Sequence, residues 1–288
     1  MKKNLLVIML LAFALTLSAC GGSKPASDTA TTEGESPVTE VSGEPLKVGM
    51  ECDYAPFNWT QADDSNGAYA IGSGEFAGGY DVEIAKRVAE SMGRELVIVK
   101  TLWDGLPPAV TSGKIDMIIA GMSPTEDRKA TLDFSDAYYV SEYVMVVKKD
   151  SELASFQSLE DFAGRKISAQ LNTFNYELVD QVPDVQKEQA LETFSALMVA
   201  LDSGKIDGYI AEVPAAKSAV TANPNLTYVE FPEGAGFEAS MEDASVAVGV
   251  NKGNAELLEA INKALSEITE EERENLMQNA LDNQPLSN

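Results

Sequence analysis

A ten-residue segment of this chain occurs almost twice, as SGKIDMIIAG at Ser112–Gly121 and as SGKIDGYIAE at Ser203–Glu212, with seven identical positions. Each copy follows a stretch with helical spacing of apolar residues, Pro107–Thr111 and Phe194–Asp202, and each copy itself predicts a short buried strand. Solenoid repeats recur every ~20–50 residues, so copies this far apart favour two α/β lobes built alike.

The two copies end differently, with Gly121 in the first and Glu212 in the second. Open α/β sheets bind ligands at the carboxyl ends of their strands, which is where the copies diverge. A carboxylate there is costly unless it is paired, so Glu212 is expected to meet an internal lysine such as Lys217 or the ammonium group of a ligand. The repeat therefore predicts one cleft with two chemically distinct sides.

The start of the chain predicts export and lipid attachment. Two lysines precede the apolar run Leu5–Leu17, whose 13 residues are too few for a spanning helix, which needs about 18 or more. The run leads into Leu-Ser-Ala and then Cys20, the pattern of a bacterial lipoprotein cleavage site. We expect removal of residues 1–19 and a lipid on Cys20 that anchors the protein to the extracytoplasmic side of the membrane. An ordinary signal peptide with an incidental cysteine is the alternative.

Residues 20–44 are rich in Ser, Thr, Gly, Pro and Glu, which predicts a flexible tether. The remaining 288 − 44 = 244 residues are enough for two lobes. We expect lobe 1 to comprise residues 45–140 and 237–288, and lobe 2 to comprise residues 141–236. The β-rich runs Tyr138–Lys148 and Ala244–Asn251 would carry the chain between the lobes as a two-strand hinge.

Composition excludes several classes of function. The expected mature chain has a formal charge of (21 − 2) − 46 = −27, because residues 1–19 contain two lysines and no acids, and this argues against a nucleic-acid partner. The chain contains no histidine, which excludes Ser-His-Asp and Cys-His catalytic sites and histidine-based metal sites. We therefore expect no catalytic residue, no metal and no cofactor.

The early part of the chain predicts a strand at Leu46–Met50, a helix that begins after Asp81 and a strand at Glu95–Lys100. Between them, residues 58–79 contain several glycines and a run of Asp, Ser and Asn, which predicts irregular surface loops. Aromatic residues at the ends of these elements, Tyr54 and Trp103, could wall a ligand pocket. Core packing is the alternative for both, and it is the first expectation for Phe57.

The segment after the first copy predicts an anion site. Pro124 suits the first turn of a helix that Ser123 or Thr125 could cap, and backbone N–H groups at a helix start attract a carboxylate. Arg128 could add a two-pronged hydrogen bond to the same anion, although a solvated surface arginine is the alternative. With Arg128 on one side and Glu212 on the other, the cleft would recognise the zwitterion of an α-amino acid.

Taken together, these segments resemble the bacterial extracellular solute-binding proteins of family 3, the amino-acid receptors of ABC importers. The resemblance covers roughly Leu46–Ala280. The motifs that carry it are Tyr54-Ala55-Pro56-Phe57, Gly79-Tyr80-Asp81-Val82, Trp103-Asp104-Gly105-Leu106, both SGKID copies, the Gly121–Lys129 segment and Asp133-Phe134-Ser135. The resemblance implies an α/β, two-lobe, periplasmic-binding-protein-like fold of type II, with a two-strand hinge and a ligand cleft between the lobes.

The resemblance also assigns roles to residues of this chain. It implies that Arg128 clamps the ligand α-carboxylate and that Glu212 takes the α-ammonium. It makes Glu51 an acidic group within reach of the ligand side chain and gives Asp81 the role of a helix cap. The full set of ligand-binding residues that we expect is Glu51, Tyr54, Trp103, Gly121, Ser123, Arg128, Gln170, Thr173, Phe174 and Glu212.

The chain departs from the family pattern in lobe 2, where Asn172-Thr173-Phe174 stands in place of a common Gly-Thr-Thr. Asparagine tolerates a left-handed backbone better than most residues, so the turn can survive. Phe174 lacks the hydroxyl that threonine would offer the carboxylate, and it could line the pocket instead.

We therefore expect a monomeric, membrane-tethered receptor, and not an enzyme. It would close on a free amino acid with a polar or cationic side chain and deliver it to an ABC permease and its ATPase. One alternative is an enzyme on the same scaffold, of the dehydratase or lyase type, with Glu51 or Glu212 as its acid or base. A sensing or adhesive ectodomain is the other.

Overall fold

The computed structural model describes residues 43–72 and 74–285. The predicted signal peptide, the predicted lipid attachment at Cys20 and most of the predicted tether lie outside the described residues. Within these two ranges, no helix combines the length and the apolar character that crossing a membrane requires.

Strands and helices alternate along much of the described chain, as expected of an α/β fold. The strands are β1 (Leu46–Met50), β2 (Asp53–Tyr54), β3 (Asn58–Gln61), β4 (Tyr69–Gly72), β5 (Glu75–Gly78), β6 (Leu96–Lys100), β7 (Met117–Ile118), β8 (Leu132–Val140), β9 (Tyr143–Lys148), β10 (Lys166–Ser168), β11 (Gln186–Lys187), β12 (Gly208–Glu212), β13 (Leu226–Val229) and β14 (Ser245–Asn251). The α-helices are α1 (Tyr80–Ser91), α2 (Leu106–Thr111), α3 (Glu126–Lys129), α4 (Phe174–Leu178), α5 (Phe194–Asp202), α6 (Val213–Ala222), α7 (Ala255–Ser266) and α8 (Glu270–Asn283).

Two five-stranded sheets have the same arrangement, and each forms the centre of one lobe. The order is β6-β1-β7-β14-β8 in lobe 1 and β11-β10-β12-β9-β13 in lobe 2. In both sheets the first three strands of this order are parallel to one another. The fourth strand is antiparallel to the third, and the fifth is antiparallel to the fourth. The two copies of the repeat supply the central strands β7 and β12, so the prediction of two lobes built alike is confirmed.

The identical part of the repeat performs the same structural task in both lobes. Gly113 and Gly204 adopt left-handed φ angles of 73° and 74° just after α2 and α5 end, a conformation that glycine takes at little cost. The Oδ2 atoms of Asp116 and Asp207 each accept a hydrogen bond of 2.9 Å from a backbone N–H of the adjacent parallel strand, which is β1 in lobe 1 and β10 in lobe 2. The shared sequence is thus the connection that ends a helix and aligns the central strand.

The expectation of surface loops across residues 58–79 is wrong, because much of this segment forms a small antiparallel sheet of order β2-β3-β5-β4. Its strands have two or four residues, and several of them end in glycine. These strands are too short to show the alternation of apolar and polar residues by which a strand is recognised in a sequence. The glycines and polar residues of the segment therefore predicted turns.

The chain passes between the lobes at two adjacent points. The predicted run Tyr138–Lys148 divides at Ser141 and Glu142 into β8, in the lobe 1 sheet, and β9, in the lobe 2 sheet. The return crossing lies beside it, since the backbone N–H of Ser141 donates to the carbonyl of Ala244 over 3.0 Å.

Residues just before the return crossing still contact lobe 2. Gln181 exchanges two hydrogen bonds with the backbone of Glu238, of 2.7 and 2.8 Å, and the ring of Phe237 packs edge-on against Phe231. The chain rejoins the lobe 1 sheet at Ser245, several residues after the boundary that the sequence predicts at 237.

We expect Asp116→Ala and Asp207→Ala each to lower the free energy of unfolding by about 1–2 kcal/mol, because each leaves a strand N–H without its carboxylate acceptor. Chemical denaturation of both variants measures this cost. The control is Asp150→Ala, at an exposed position, which should change stability little. A negligible cost at both repeat positions would contradict the shared structural task.

Candidate functional site

A small cavity of about 20 Å³, roughly the space of a single water molecule, lies between the lobes. All the predicted ligand-binding residues except Glu51 lie at this cavity. Its lining is Tyr54, Trp103, Gly121, Ser123, Arg128, Gln170, Thr173, Phe174, Asn175, Phe194 and Glu212. Residues of lobe 1 and lobe 2 therefore enclose the cavity together, in a closed arrangement.

Arg128 lies on the short helix α3 and reaches across the cleft. Its Nη1 donates to the carbonyl of Ser123 at 2.8 Å, and its Nη2 donates to the carbonyl of Asn172, on lobe 2, at 3.0 Å. The guanidinium carbon lies 5.1 Å from the ring centroid of Trp103, a geometry that favours a cation. Desolvation lowers the pKa of Arg128 to about 10, so the side chain stays charged at neutral pH.

Glu212 ends β12 and lies buried on the opposite side of the cavity. The hydroxyl of Tyr54, on lobe 1, donates to its Oε2, and Asn175 Nδ2 donates to the same oxygen at 3.4 Å. Burial raises the pKa of Glu212, and these two hydrogen bonds act in the opposite direction. In the described part of the chain its hydrogen-bond partners are thus neutral side chains, and not the alternative partner Lys217.

Glu51 follows β1 and is only 5% exposed. Gln170, on lobe 2, donates from Nε2 to both carboxylate oxygens, at 3.0 and 3.2 Å. Burial raises the pKa of Glu51 to about 7, since the hydrogen bond from Gln170 offsets only part of the desolvation. The carboxylate lines a larger groove of about 460 Å³ that shares Phe194 with the small cavity.

The lobe 2 turn has the left-handed backbone that the sequence suggested, with φ of 56° at Asn172. The carbonyl of Asn172 accepts hydrogen bonds from Arg128 and, at 3.1 Å, from the indole N–H of Trp103. Its side-chain amide donates to Asp104 Oδ1 at 2.8 Å. Phe174 lines the cavity and packs against Tyr143, with 5.7 Å between the ring centroids.

Two cavity residues were not predicted. Phe194 begins α5, just before the second repeat, and its ring lies 4.5 Å from that of Tyr54. Asn175 lies in the first turn of α4 and reaches Glu212. An apolar residue at a helix start and an amide within a helix are ordinary features of core and surface, so neither residue type gave a signal.

The expectation that Asp81 caps a helix is wrong. Helix α1 begins at Tyr80, after Gly79, and the Asp81 side chain is fully buried. Its carboxylate accepts hydrogen bonds from Asn58 Nδ2 at 2.7 Å and from the hydroxyl of Tyr138 at 2.8 Å. An aspartate before an apolar helical run looks the same in sequence whether it caps the helix or turns inward.

Chemically, the cavity offers a cation from lobe 1 and a carboxylate from lobe 2 at opposite sides. Both groups are held by neutral partners that a charged ligand could replace. Among the residues that the structure describes, no group of three or more Cys, Asp and Glu side chains is arranged to hold a metal ion. The arrangement offers complementary charges to a zwitterion, which would have to displace the present contacts between the lobes, because the cavity holds about one water molecule.

The fold and the cleft define a class of protein: a two-lobe α/β receptor that encloses a solute between its lobes. The chain belongs to the bacterial extracellular solute-binding proteins, family 3, whose model matches residues 46–281. This confirms the family and the fold class that the sequence motifs indicated.

Two curated relatives cover nearly the full chain. A probable histidine-binding protein from Campylobacter jejuni is 33% identical over 269 residues, which is 93% of each chain. The arginine-binding extracellular protein ArtP from Bacillus subtilis is 30% identical over 270 residues, again 93% of each chain. Both carry the names of binding proteins and not of enzymes.

Solved structures give the same result. The amino acid ABC transporter substrate-binding protein AbpA from Streptococcus pneumoniae, bound to L-arginine, superposes with a TM-score of 0.70 at 31% identity, covering 83% of this chain and 95% of that one. An ancestral arginine-binding protein bound to arginine gives a TM-score of 0.66 at 33% identity, covering 83% and 98%. These comparisons show a substrate-binding role for this chain.

The buried carboxyls at and near the cleft predict how stability depends on pH. Burial raises the pKa values of Glu51 and Asp81 to about 7 and also raises that of Glu212. The folded protein thus binds more protons than the unfolded chain between about pH 4.5 and 7, so its stability should fall as the pH rises through 7. Thermal and urea unfolding at pH 5.5 and at pH 8 test this.

Glu51 alone should contribute about 2 kcal/mol to the difference between the two pH values, given its shift from 4.5 to about 7. Glu51→Gln should therefore flatten the pH dependence by that amount. Equal stability of the wild-type protein at the two pH values would show that these carboxyls titrate normally.

Proposed function

We propose that this protein binds a basic L-amino acid, arginine above all, and delivers it to an ABC permease. The observation that carries the proposal is the placement of Arg128 and Glu212 from opposite lobes at one cavity. The guanidinium would bind the ligand α-carboxylate, and the Glu212 carboxylate would bind the α-ammonium. Closure would then depend on a ligand that joins the two lobes.

The acidic character of the neighbouring groove supports a cationic ligand side chain. Glu51 borders the groove, and Asp53 and Asp104 lie near enough to raise its pKa further. A guanidinium or ammonium group would supply the positive charge that Gln170, a neutral donor, does not. The names of the relatives, which bind histidine or arginine, agree with this choice.

The transport role rests on the family and on the start of the sequence. We infer that residues 1–19 are an export signal and that Cys20 carries the lipid that tethers a monomeric receptor to the outer face of the cell membrane. Residues 20–44 would let the lobes reach the permease. Incorporation of a radiolabelled fatty acid into the wild-type protein, and not into a Cys20→Ala variant, tests the anchor.

Removal of the cation should abolish tight binding. Arg128→Ala should weaken L-arginine affinity by about 2–5 kcal/mol, or roughly 30- to 5,000-fold, because the carboxylate would be buried without its partner. Isothermal titration of protein that has been unfolded and refolded to remove carried ligand measures this. Arg165→Ala is the control, since Arg165 pairs with Glu152 away from the cavity. Near-normal affinity in Arg128→Ala would remove this residue from the site.

Charge recognition by Glu51 should be visible in the pH dependence of affinity. A cationic side chain favours the ionised carboxylate, so L-arginine should bind more weakly as the pH falls below 7, by up to about tenfold per pH unit. L-citrulline has the same α-groups and an uncharged side chain, so the arginine-to-citrulline affinity ratio isolates Glu51 from Glu212. Titration calorimetry between pH 5.5 and 8 gives this ratio, and Glu51→Gln should make it independent of pH. A constant ratio in the wild-type protein would contradict the cationic subsite.

A further inference from the structure

Asp81 is a buried acid for which ligand binding has no direct use. Its side chain is fully buried in lobe 1, and it is absent from the lining of the ligand cavity. Burial raises its pKa to about 7, while hydrogen bonds from Tyr138 and Asn58 lower it. A carboxylate held at this cost needs a reason, because a neutral residue could fill the same space.

A series of hydrogen bonds links Gly121 through Tyr138 to Asp81, and each bond in it has a fixed donor and acceptor. Asn58 Nδ2 donates to Asp81 Oδ2 at 2.7 Å, and the hydroxyl of Tyr138 donates to Asp81 Oδ1 at 2.8 Å. The backbone N–H of Gly121 donates to the Tyr138 hydroxyl oxygen at 3.0 Å. Because an ionised carboxylate only accepts, the single proton of Tyr138 is committed to Asp81, and its oxygen is left to accept from Gly121.

Tyr138 is aimed at this position by an irregularity in the sheet. Strand β14 pairs Val246 with Tyr139 and Ala247 with Ala137, so Tyr138 is the extra residue of a β-bulge. Bulges redirect a side chain out of the regular alternation of a strand. The carbonyl of the bulged residue accepts a hydrogen bond from the hydroxyl of Tyr80 at 2.8 Å.

Gly121, at the other end of this series of hydrogen bonds, lies in the wall of the ligand cavity. Gly121 lines the cavity with a left-handed φ of 61°, and a Cβ atom there would lie 2.9 Å from the ring of Tyr54. Two residues further on, the carbonyl of Ser123 holds Arg128. The orientation of this segment therefore decides where the predicted carboxylate clamp lies.

We propose that Asp81 is a positioning residue for ligand binding, which acts through Tyr138 to fix the backbone of Gly121 and hence the lobe 1 wall of the amino-acid site. The proposal rests on the proposed function for its binding readout, but the anchoring of Gly121 can be tested without ligand. Burial, and then the proximity of Asp81, raise the pKa of Tyr138 far above its usual value, so its hydroxyl remains a donor.

The test compares two tyrosines of lobe 1 in the full-length protein. Tyr138→Phe removes the hydroxyl that links Asp81 to Gly121, whereas Tyr69→Phe removes a hydroxyl that donates to the carbonyl of Leu96 and to neither of those residues. Each variant loses a hydrogen-bonded hydroxyl, so both should lower the thermal midpoint. Only Tyr138→Phe should weaken L-arginine affinity, by about tenfold or more, while Tyr69→Phe stays within about twofold of wild type.

A second readout separates positioning from a general loss of stability. In protein labelled with ¹⁵N-glycine, the Gly121 amide proton should move upfield and exchange faster with solvent in Tyr138→Phe, because its acceptor is gone. Asp81→Asn should move the same resonance, because an asparagine NH₂ group would oppose one of the two donors. The Asp81→Asn/Tyr138→Phe double variant should bind L-arginine no more weakly than the weaker-binding single variant, because both substitutions interrupt the same series of hydrogen bonds.

Equal weakening of arginine binding by Tyr69→Phe and Tyr138→Phe would overturn the proposal, as would an unchanged Gly121 amide in Tyr138→Phe. Failure of the wild-type protein to bind any basic amino acid would instead overturn the proposed function. In that case the Gly121 resonance still decides whether Asp81 anchors the cleft wall.

Discussion

The charged groups at this cleft cannot be left without partners, and the closed arrangement follows from how they are paired. Arg128 rests against the backbone carbonyls of Ser123 and Asn172, and Glu212 accepts from Tyr54 and Asn175. Each charge thus has a neutral partner on the opposite lobe. Neutral partners offset the desolvation cost of these charges only partly. A ligand with complementary charges would therefore gain free energy by replacing them. The same pairing that closes the lobes therefore prepares the site to be rearranged by a zwitterion.

The repeat shows how two similar lobes can carry different chemistry. The identical residues end a helix and align the central strand, and they lie away from the cavity. Of the three pairs of residues that differ, the last pair, Gly121 and Glu212, is at the cavity itself. Lobe 1 consequently contributes a wall of backbone beside a cation, while lobe 2 contributes a carboxylate.

Much of this could be predicted from the sequence because the signals are local. The repeat and its preceding helices indicated the two central strands, and the residue types at Arg128 and Glu212 indicated opposite charges at a strand end. The role of Asp81 could not be predicted in this way. Its partners Asn58 and Tyr138 are far from it in sequence, and a β-bulge, which the residue pattern does not reveal, aims Tyr138 towards it. Phe194 and Asn175 were missed because an apolar residue at a helix start and an amide within a helix are ordinary features that give no signal of a site.

The two crossings between the lobes set the kind of motion that the cleft can undergo. They are short, and the hydrogen bond between Ser141 and Ala244 holds them side by side. Two adjacent, tethered crossings act like the pin of a hinge: they permit rotation and oppose sliding or separation of the lobes. A few degrees of backbone rotation at Ser141 and Glu142 are then magnified with distance from the pin. Small dihedral changes at the two crossings are therefore sufficient to open or close the whole cleft.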